Sequence, residues 1–490
     1  MTELPQKVDI VVVGTGFAGV CMGIQLLKNG FTDFIILERS NDVGGTWRDN
    51  TYPGAACDVH SPLYSFSFEP NPNWSRMFAN HREIYDYTWH CVRKYGLEKY
   101  IRFGRSVLGG DYDAANAEWT INMADGTSLK CNKWINGMGP LNRPVFPNLE
   151  GISEFKGAHF HSSEWRHDVD LKGKRVAVVG TGASAVQIVP NIADTVSELH
   201  LFQRTPAWVI AKPDREMTQL EKWVFKRVPF IQKLYRWRIY WQNELTVNLL
   251  VFNPKYTKLI AGLGKRQLRK GIKDPALREK LTPAYSPGCK RILPSNNFYP
   301  TLERKHVHLH TEGIERITAN GLLGKDGHET KVDAIIYATG FEAADFPAWF
   351  NVKGKDGRQL LDVWKDGPEA YLGTVVSGFP NMFMLIGPNT GLGHTSMIIM
   401  IEASVNYTIE CLKAMQRNKA KAMDVKPDVQ QAYNEDIQRK LATTVWATGG
   451  CKSWYISKTG KNTSVWPGFT FTYMKRTKRV KEGDFDFSLL

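Results

Sequence analysis

Two copies of one device constrain this chain more than any other feature. Arg175 to Val179 is a compact, β-branched run that reads as a buried strand. It passes directly into Gly180-Thr-Gly182-Ala-Ser-Ala185, followed by apolar residues at helical spacing. Near the amino terminus Val8 to Val13, Gly14-Thr-Gly16-Phe-Ala-Gly19 and a helix over Val20 to Lys28 repeat the arrangement. A glycine-rich turn lets backbone N–H groups approach a pyrophosphate, and the helix start behind it favours negative charge. Because strand, turn, helix and following strand recur in the same order, chance is a poor explanation.

The copies differ where a ribose would lie. After the first, the strand Phe34 to Leu37 ends at Glu38, at the ~20-residue interval where a carboxylate accepts hydrogen bonds from a ribose 2′-hydroxyl. After the second, Leu199 to Phe202 leads to Arg204 at the matching position. A guanidinium suits a 2′-phosphate, which it can bind bidentately. Gly14, Gly16, Gly19 and Glu38 are therefore read as an FAD site, and Gly180, Gly182, Ala185 and Arg204 as an NADPH site. The fold class expected is α/β, with two Rossmann-like dinucleotide-binding domains and a helical insertion in the second.

Composition narrows the partners. The 490 residues are 42% hydrophobic and 23% charged, an ordinary globular balance with room for two or three domains. No apolar run approaches the ~18 residues needed to span a bilayer, and Met1 leads almost directly into the first strand, which argues against a signal peptide. Seven scattered cysteines without a CxxC pair argue against a disulfide scaffold, structural zinc and a dithiol mechanism. The expectation is a reducing cytoplasm and no metal. The net charge of +14 is uneven, with 17 Lys/Arg against 6 Asp/Glu in residues 212–280. No nucleic-acid-binding motif accompanies that charge, so no nucleic-acid partner is expected.

The first domain is expected over residues 1–150. It holds a loop from Gly44 to Asp58, a helix over Arg82 to Tyr95, and strands Trp119 to Met123 and Leu129 to Asn136. Pro140, Pro144 and Pro147 stiffen the crossing into a second domain over 151–379. From about 217 to 282 strand alternation disappears. Phe230, Leu234, Trp237, Trp241, Leu245, Leu249 and Phe252 recur there at steps of three and four, with Lys233, Arg236 and Arg238 off the stripe. This spacing predicts a helical insertion packed against the mouth of the site with a solvated basic face. A helix lying on an anionic membrane surface is the less favoured alternative. The dinucleotide fold resumes over Val307 to His310 and Lys331 to Ala338. Residues 380–490 are expected to rejoin the first domain. They comprise a strand from Met382 to Ile386, a glycine turn, a helix from Met397 to Met415 whose start would face the flavin, and a mobile tail loop near 448–468.

Phe155-x-Gly157-x-x-x-His161-x-x-x-Trp165 resembles the fingerprint of Baeyer–Villiger monooxygenases, flavoenzymes that insert oxygen beside a ketone carbonyl. Gly45-x-Trp47, Tyr52-Pro53-Gly54 and Asp58 fit a second signature of that family, and the resemblance runs from Val8 past Trp454. One departure is Arg166, where the family pattern has Pro or Asp. The resemblance implies FAD and NADP as cofactors, a ketone and dioxygen as substrates, and an ester or lactone formed by way of a flavin peroxide. It implies that Arg291, in Gly288-Cys-Lys-Arg291, is the active-site arginine and Asp58 the carboxylate that positions it. Lys290 becomes a second contact to the NADP 2′-phosphate, and Trp47 and Asp58 join the cofactor contacts. Trp454 closes over NADP and substrate. Phe155, Gly157, His161 and Trp165 form a hinge between domains rather than reactants.

The residue types fit that chemistry. Oxidising a ketone needs an anionic peroxide and a stabilised oxyanion, both helped by a permanently charged guanidinium. Oxidising soft nitrogen or sulfur needs neither, so the Asp58–Arg291 pair favours ketones. The alternatives are an N- or S-oxygenating flavin-containing monooxygenase, an electron-transfer or redox-sensing flavoprotein, and a lipid-surface protein built around residues 212–280.

Overall fold

The computed structural model describes residues 4–247, 254–343, 350–451, 453, 455–457 and 459–489. The chain begins with β1 (Lys7–Val13), α1 (Phe17–Lys28) and β2 (Phe34–Leu37). It continues through α2 (His81–Lys94), β3 (Ile101–Arg102), β4 (Val107–Asp113), β5 (Glu118–Met123) and β6 (Ser128–Asn136). β1 pairs in parallel with both β2 and β6, which makes it the centre of the first sheet. Its alternation is buried on both sides: Ile10 and Val12 enter one part of the core, and Val8, Val11 and Val13 another. The loop from Gly44 to Asp58 is not wholly irregular. A one-turn helix, Thr46–Asp49, interrupts it, too short to leave a periodic signal.

The second sheet is built from β7 (Ala158–His161), β8 (Arg175–Val179), β9 (Glu198–Phe202), β10 (Val307–His310) and β11 (Ala334–Tyr337), with α3 (Ala183–Ile192) following β8. Its order is β10-β9-β8-β11-β7, and every pairing is parallel. The run Lys331 to Ala338, expected as one strand, is split. Glu329–Lys331 closes a small antiparallel ribbon, and β11 enters the parallel sheet. Asp333 stands between them and accepts a hydrogen bond from the Arg175 N–H.

The insertion contains α4 (Gln219–Arg227), α5 (Pro229–Val247) and α6 (Thr257–Gly271). A Thr218/Glu221 capping box starts α4. The expected packing of α5 is reversed. Of the predicted stripe, Phe230, Leu234, Trp237 and Leu245 are exposed and Trp241 is half-buried, whereas Gln232, Ile239, Glu244 and Val247 are buried. Leu249 and Phe252 lie outside the described residues. On the inward face Ile239 and Val247 enter the core, and polar contacts join them: Arg236 Nη1 donates to the carbonyls of Pro62 and Leu63, and Gln232 Nε2 to that of Asn71.

The crossing back to the first sheet comes before the boundary expected at residue 380. Strand β12 (Asn351–Lys353) already pairs with β4, and β13 (Met382–Met384) then pairs with β6. Three residues at a sheet edge are too few to declare themselves by pattern. Helix α7 (Met397–Arg417) follows and packs on α1, and α8 (Thr470–Arg476) packs on α7. Among the described residues no helix is long and apolar enough to cross a membrane.

Candidate active site

Both glycine turns open onto one cavity of about 1550 Å³, larger than the roughly 300–1,000 Å³ that accommodate a single ligand. Gly14 and Gly180 have φ of 95° and 116°. A Cβ on Gly14 would lie 2.9 Å from the Gly137 carbonyl oxygen, and one on Gly180 would lie 2.4 Å from that of Ala338. Positive φ and the close crossover strand both require glycine there. Helices α1 and α3 start immediately behind, at Gly16 and Gly182, so their unpaired N–H groups face the space a pyrophosphate would fill.

The wall beside the first turn is tightly organised. Glu38 is buried. Its Oε2 accepts from the Thr15 N–H at 2.9 Å and the Thr15 hydroxyl at 2.6 Å. Its Oε1 accepts from the Ser40 N–H at 2.9 Å and Arg48 Nη1 at 3.0 Å. Trp47 Nε1 donates to the Tyr64 oxygen at 3.0 Å. The wall beside the second turn is open and cationic. Arg204 is exposed. Lys290 stands close enough that burial, and next the Arg204 charge, push its ammonium below the usual lysine range. Two cations on one wall suit a phosphate monoester.

Between the two turns lies an ion pair. Arg291 Nε and Nη2 donate to the two Asp58 oxygens, each at 2.7 Å. Burial would raise the Asp58 carboxyl, but the Arg291 charge and its hydrogen bonds outweigh that and hold it below the usual carboxylate range. The Asp58 charge pushes Arg291 further up, against the effect of burial. The arginine is therefore cationic at any working pH. Its side chain remains 31% exposed, fixed from behind and open in front.

The fold explains why Tyr52-Pro53-Gly54 precedes Asp58. A Cβ on Gly54 would lie 2.1 Å from Asn191 Nδ2, so the loop sits directly on α3. The Tyr52 hydroxyl donates to Gln187 Oε1 at 2.9 Å, and Gln187 Nε2 donates to the Ala56 carbonyl at 2.9 Å. This clasp between the two dinucleotide units brings Asp58 to Arg291. Sequence reading missed Gln187, because a glutamine in a helix carries no signal of its own.

Contrary to the expectation from cysteine spacing, one disulfide forms. Cys289 and Cys451, 162 positions apart, form a disulfide with Cα atoms 6.1 Å apart, tying the Lys290–Arg291 segment to the tail loop. Absence of CxxC spacing says nothing about pairs that only the fold brings together. Trp454 lies outside the described residues. Its neighbour Tyr455 is buried against the cavity, and burial raises its phenol.

The fingerprint residues lie where segments cross between the two sheets. The His161 ring contacts Phe146 and Phe341, which flank a backbone hydrogen bond from Val145 N to Gly340 O of 2.9 Å. Burial pushes His161 down to about 4. A Cβ on Gly157 would lie 2.5 Å from the Asp333 carbonyl oxygen, Phe155 is buried, and Trp165 meets Phe160 edge to face. Arg166, the departure from the pattern, pairs with Asp168. Two further groups escaped sequence reading. Glu244 of α5 and His394 lie 3.5 Å apart, both side chains 1% exposed, and Glu244 accepts from the Thr470 N–H at 3.0 Å. His394 lines a small cavity with Arg291 and Trp446. An acid among the apolar residues of α5 was the available hint.

Comparison with known proteins adds an independent line. Residues 7–355 match the model of a family described as flavin-binding monooxygenase-like. The chain is 48% identical to a Baeyer-Villiger monooxygenase of Pseudomonas aeruginosa, over 96% of this chain and 89% of that protein. It is 43% identical to one of Streptomyces coelicolor, over 98% and 92%. The crystal structure of OTEMO in complex with FAD and NADP superposes with a TM-score of 0.89 at 27% identity, covering 99% of this chain and all of that one.

Proposed function

This chain belongs to the flavin-binding monooxygenase family and within it to the FAD- and NADP-dependent Baeyer–Villiger monooxygenases, and we propose that Arg291, held by Asp58, is the group that commits it to ketones. The observation that carries this reading is the pair of 2.7 Å bonds between Arg291 and Asp58, set in the cavity shared by the two glycine turns. The residues present fit both cofactors. The first turn with Glu38 and Trp47 would hold FAD, and the second turn with Arg204 and Lys290 would hold NADP. When bound, they supply hydride transfer and activation of dioxygen.

The protein's share is electrostatic. Arg291 would stabilise negative charge developing on the carbonyl oxygen of a ketone, a task for a preorganised donor in a partly water-excluded site. Asp58 keeps the guanidinium plane fixed and leaves its other N–H groups free for substrate. His161, Gly157, Phe155 and Trp165 would let the two units adjust without entering the chemistry. The FAD unit is proposed to combine residues up to about 150 with those from about 350 onward, and the NADP unit the stretch between. A cytoplasmic location is proposed with it: five of the seven cysteines are free thiols, and the Cys289–Cys451 disulfide is a single bond rather than a scaffold.

The test is oxygen uptake by the purified yellow protein with NADPH and cyclic, linear and aryl ketones, followed by product mass. Ester or lactone should match the oxygen consumed. Hydrogen peroxide alone, or oxygenation confined to amines and thioethers, would overturn the reading.

A further inference from the structure

Of the 18 large apolar side chains exposed among the described residues, eight fall between residues 220 and 245, on α4, α5 and the turn between them, so their exposure is a property of these two helices rather than a scatter over the surface. Trp223 is 59% exposed, Phe230 66%, Trp237 61% and Leu245 67%. The patch continues onto α8, where Phe471 meets Trp241 with ring centroids 5.9 Å apart. Exposed apolar side chains gathered on neighbouring helices mark an interaction site.

The exposed charges on α4 and α5 have one sign. Lys226, Arg227, Lys233 and Arg238 are exposed on α4 and α5, whereas the acids of these helices are occupied: Glu221 pairs with Arg215 and Glu244 is buried beside His394. A second copy docked on this face would set like charges against each other, which costs affinity. An anionic, apolar-cored surface satisfies both features, since aromatic rings enter the headgroup boundary while lysines and arginines remain at the phosphates.

We propose that the outer face of α4 and α5 is a docking surface for an anionic lipid bilayer. The inner face of the same helix, through Glu244 and His394, adjoins the small cavity beside Arg291. Docking therefore brings the arginine's side of the molecule to a phase in which apolar molecules concentrate.

The experiment is co-sedimentation of the flavin-loaded protein with vesicles of phosphatidylcholine alone, or of phosphatidylcholine mixed with phosphatidylglycerol, at low and high salt. Binding is expected only to the anionic vesicles and should fall with salt. Lys226→Ala, Lys233→Ala and Arg238→Ala together should weaken it about 100-fold. Trp237→Ser should weaken it roughly 10-fold. Both variants should keep their flavin absorbance, since these side chains are exposed. Equal binding to both vesicles, or none to either, would overturn the proposal. So would a concentration-dependent doubling of mass in light scattering that Trp237→Ser abolishes, because the face would then join two copies of the chain.

Discussion

The two glycine turns share a backbone plan and differ in everything around it. At the first, a Cβ on Gly19 would lie 1.8 Å from the Gly14 carbonyl oxygen, and Glu38 is buried with both oxygens engaged. At the second, the matching position carries the buried methyl of Ala185, a Cβ on Gly182 would meet nothing within 4 Å, and Arg204 is exposed. The first turn is closed around its ligand position and the second stands open. The motif fixes where a pyrophosphate goes; the surroundings decide how tightly and with what charge it is held.

The most severe test of that contrast is Gly19→Ala. With no room for a methyl beside the Gly14 carbonyl, the turn must shift, and small-to-large changes in packed sites cost about 1–3 kcal/mol or more. The variant is expected to purify with little or no FAD, read by absorbance, while the second turn is untouched. Full flavin content would show that the first site is not closed.

Next in size is Arg291→Ala, which removes a group belonging to neither turn. FAD content and NADPH affinity should stay near those of the parent. Ester formation should fall ~10²–10³-fold in kcat, the usual effect of losing one preorganised oxyanion donor, and any sulfoxidation should fall less. Product analysis of both reactions under one NADPH supply decides it. Equal losses would assign Arg291 to hydride transfer or to binding in general.

The smallest effect sharpens the second site. Arg204→Ala should raise the KM for NADPH roughly 10–100-fold, the range of one charge-assisted hydrogen bond, with a smaller change in kcat. The KM for NADH should barely move. An unaltered ratio between the two nicotinamides would place the 2′-phosphate elsewhere.

Much of this was legible before folding. Strands β1, β2 and β8 fall within a residue of expectation, because a buried parallel strand reads as a short, largely apolar run. Arg291 and Asp58 were named through a resemblance, not through spacing, and nothing in a separation of 233 positions implies two bonds of 2.7 Å.

What the sequence by itself determined is local: the two turns, the opposite charges of Glu38 and Arg204 that follow them, and the helical character of the insertion. These depend on neighbours along the chain. Only the tertiary structure decided that Gln187 clasps the Tyr52–Ala56 loop, that Cys289 meets Cys451, and that α5 turns its aromatic stripe outward. Periodicity shows that a helix has two unlike faces, but which face is covered depends on what the rest of the fold places against it. On α5 the carbonyls of Pro62, Leu63 and Asn71 took the polar side.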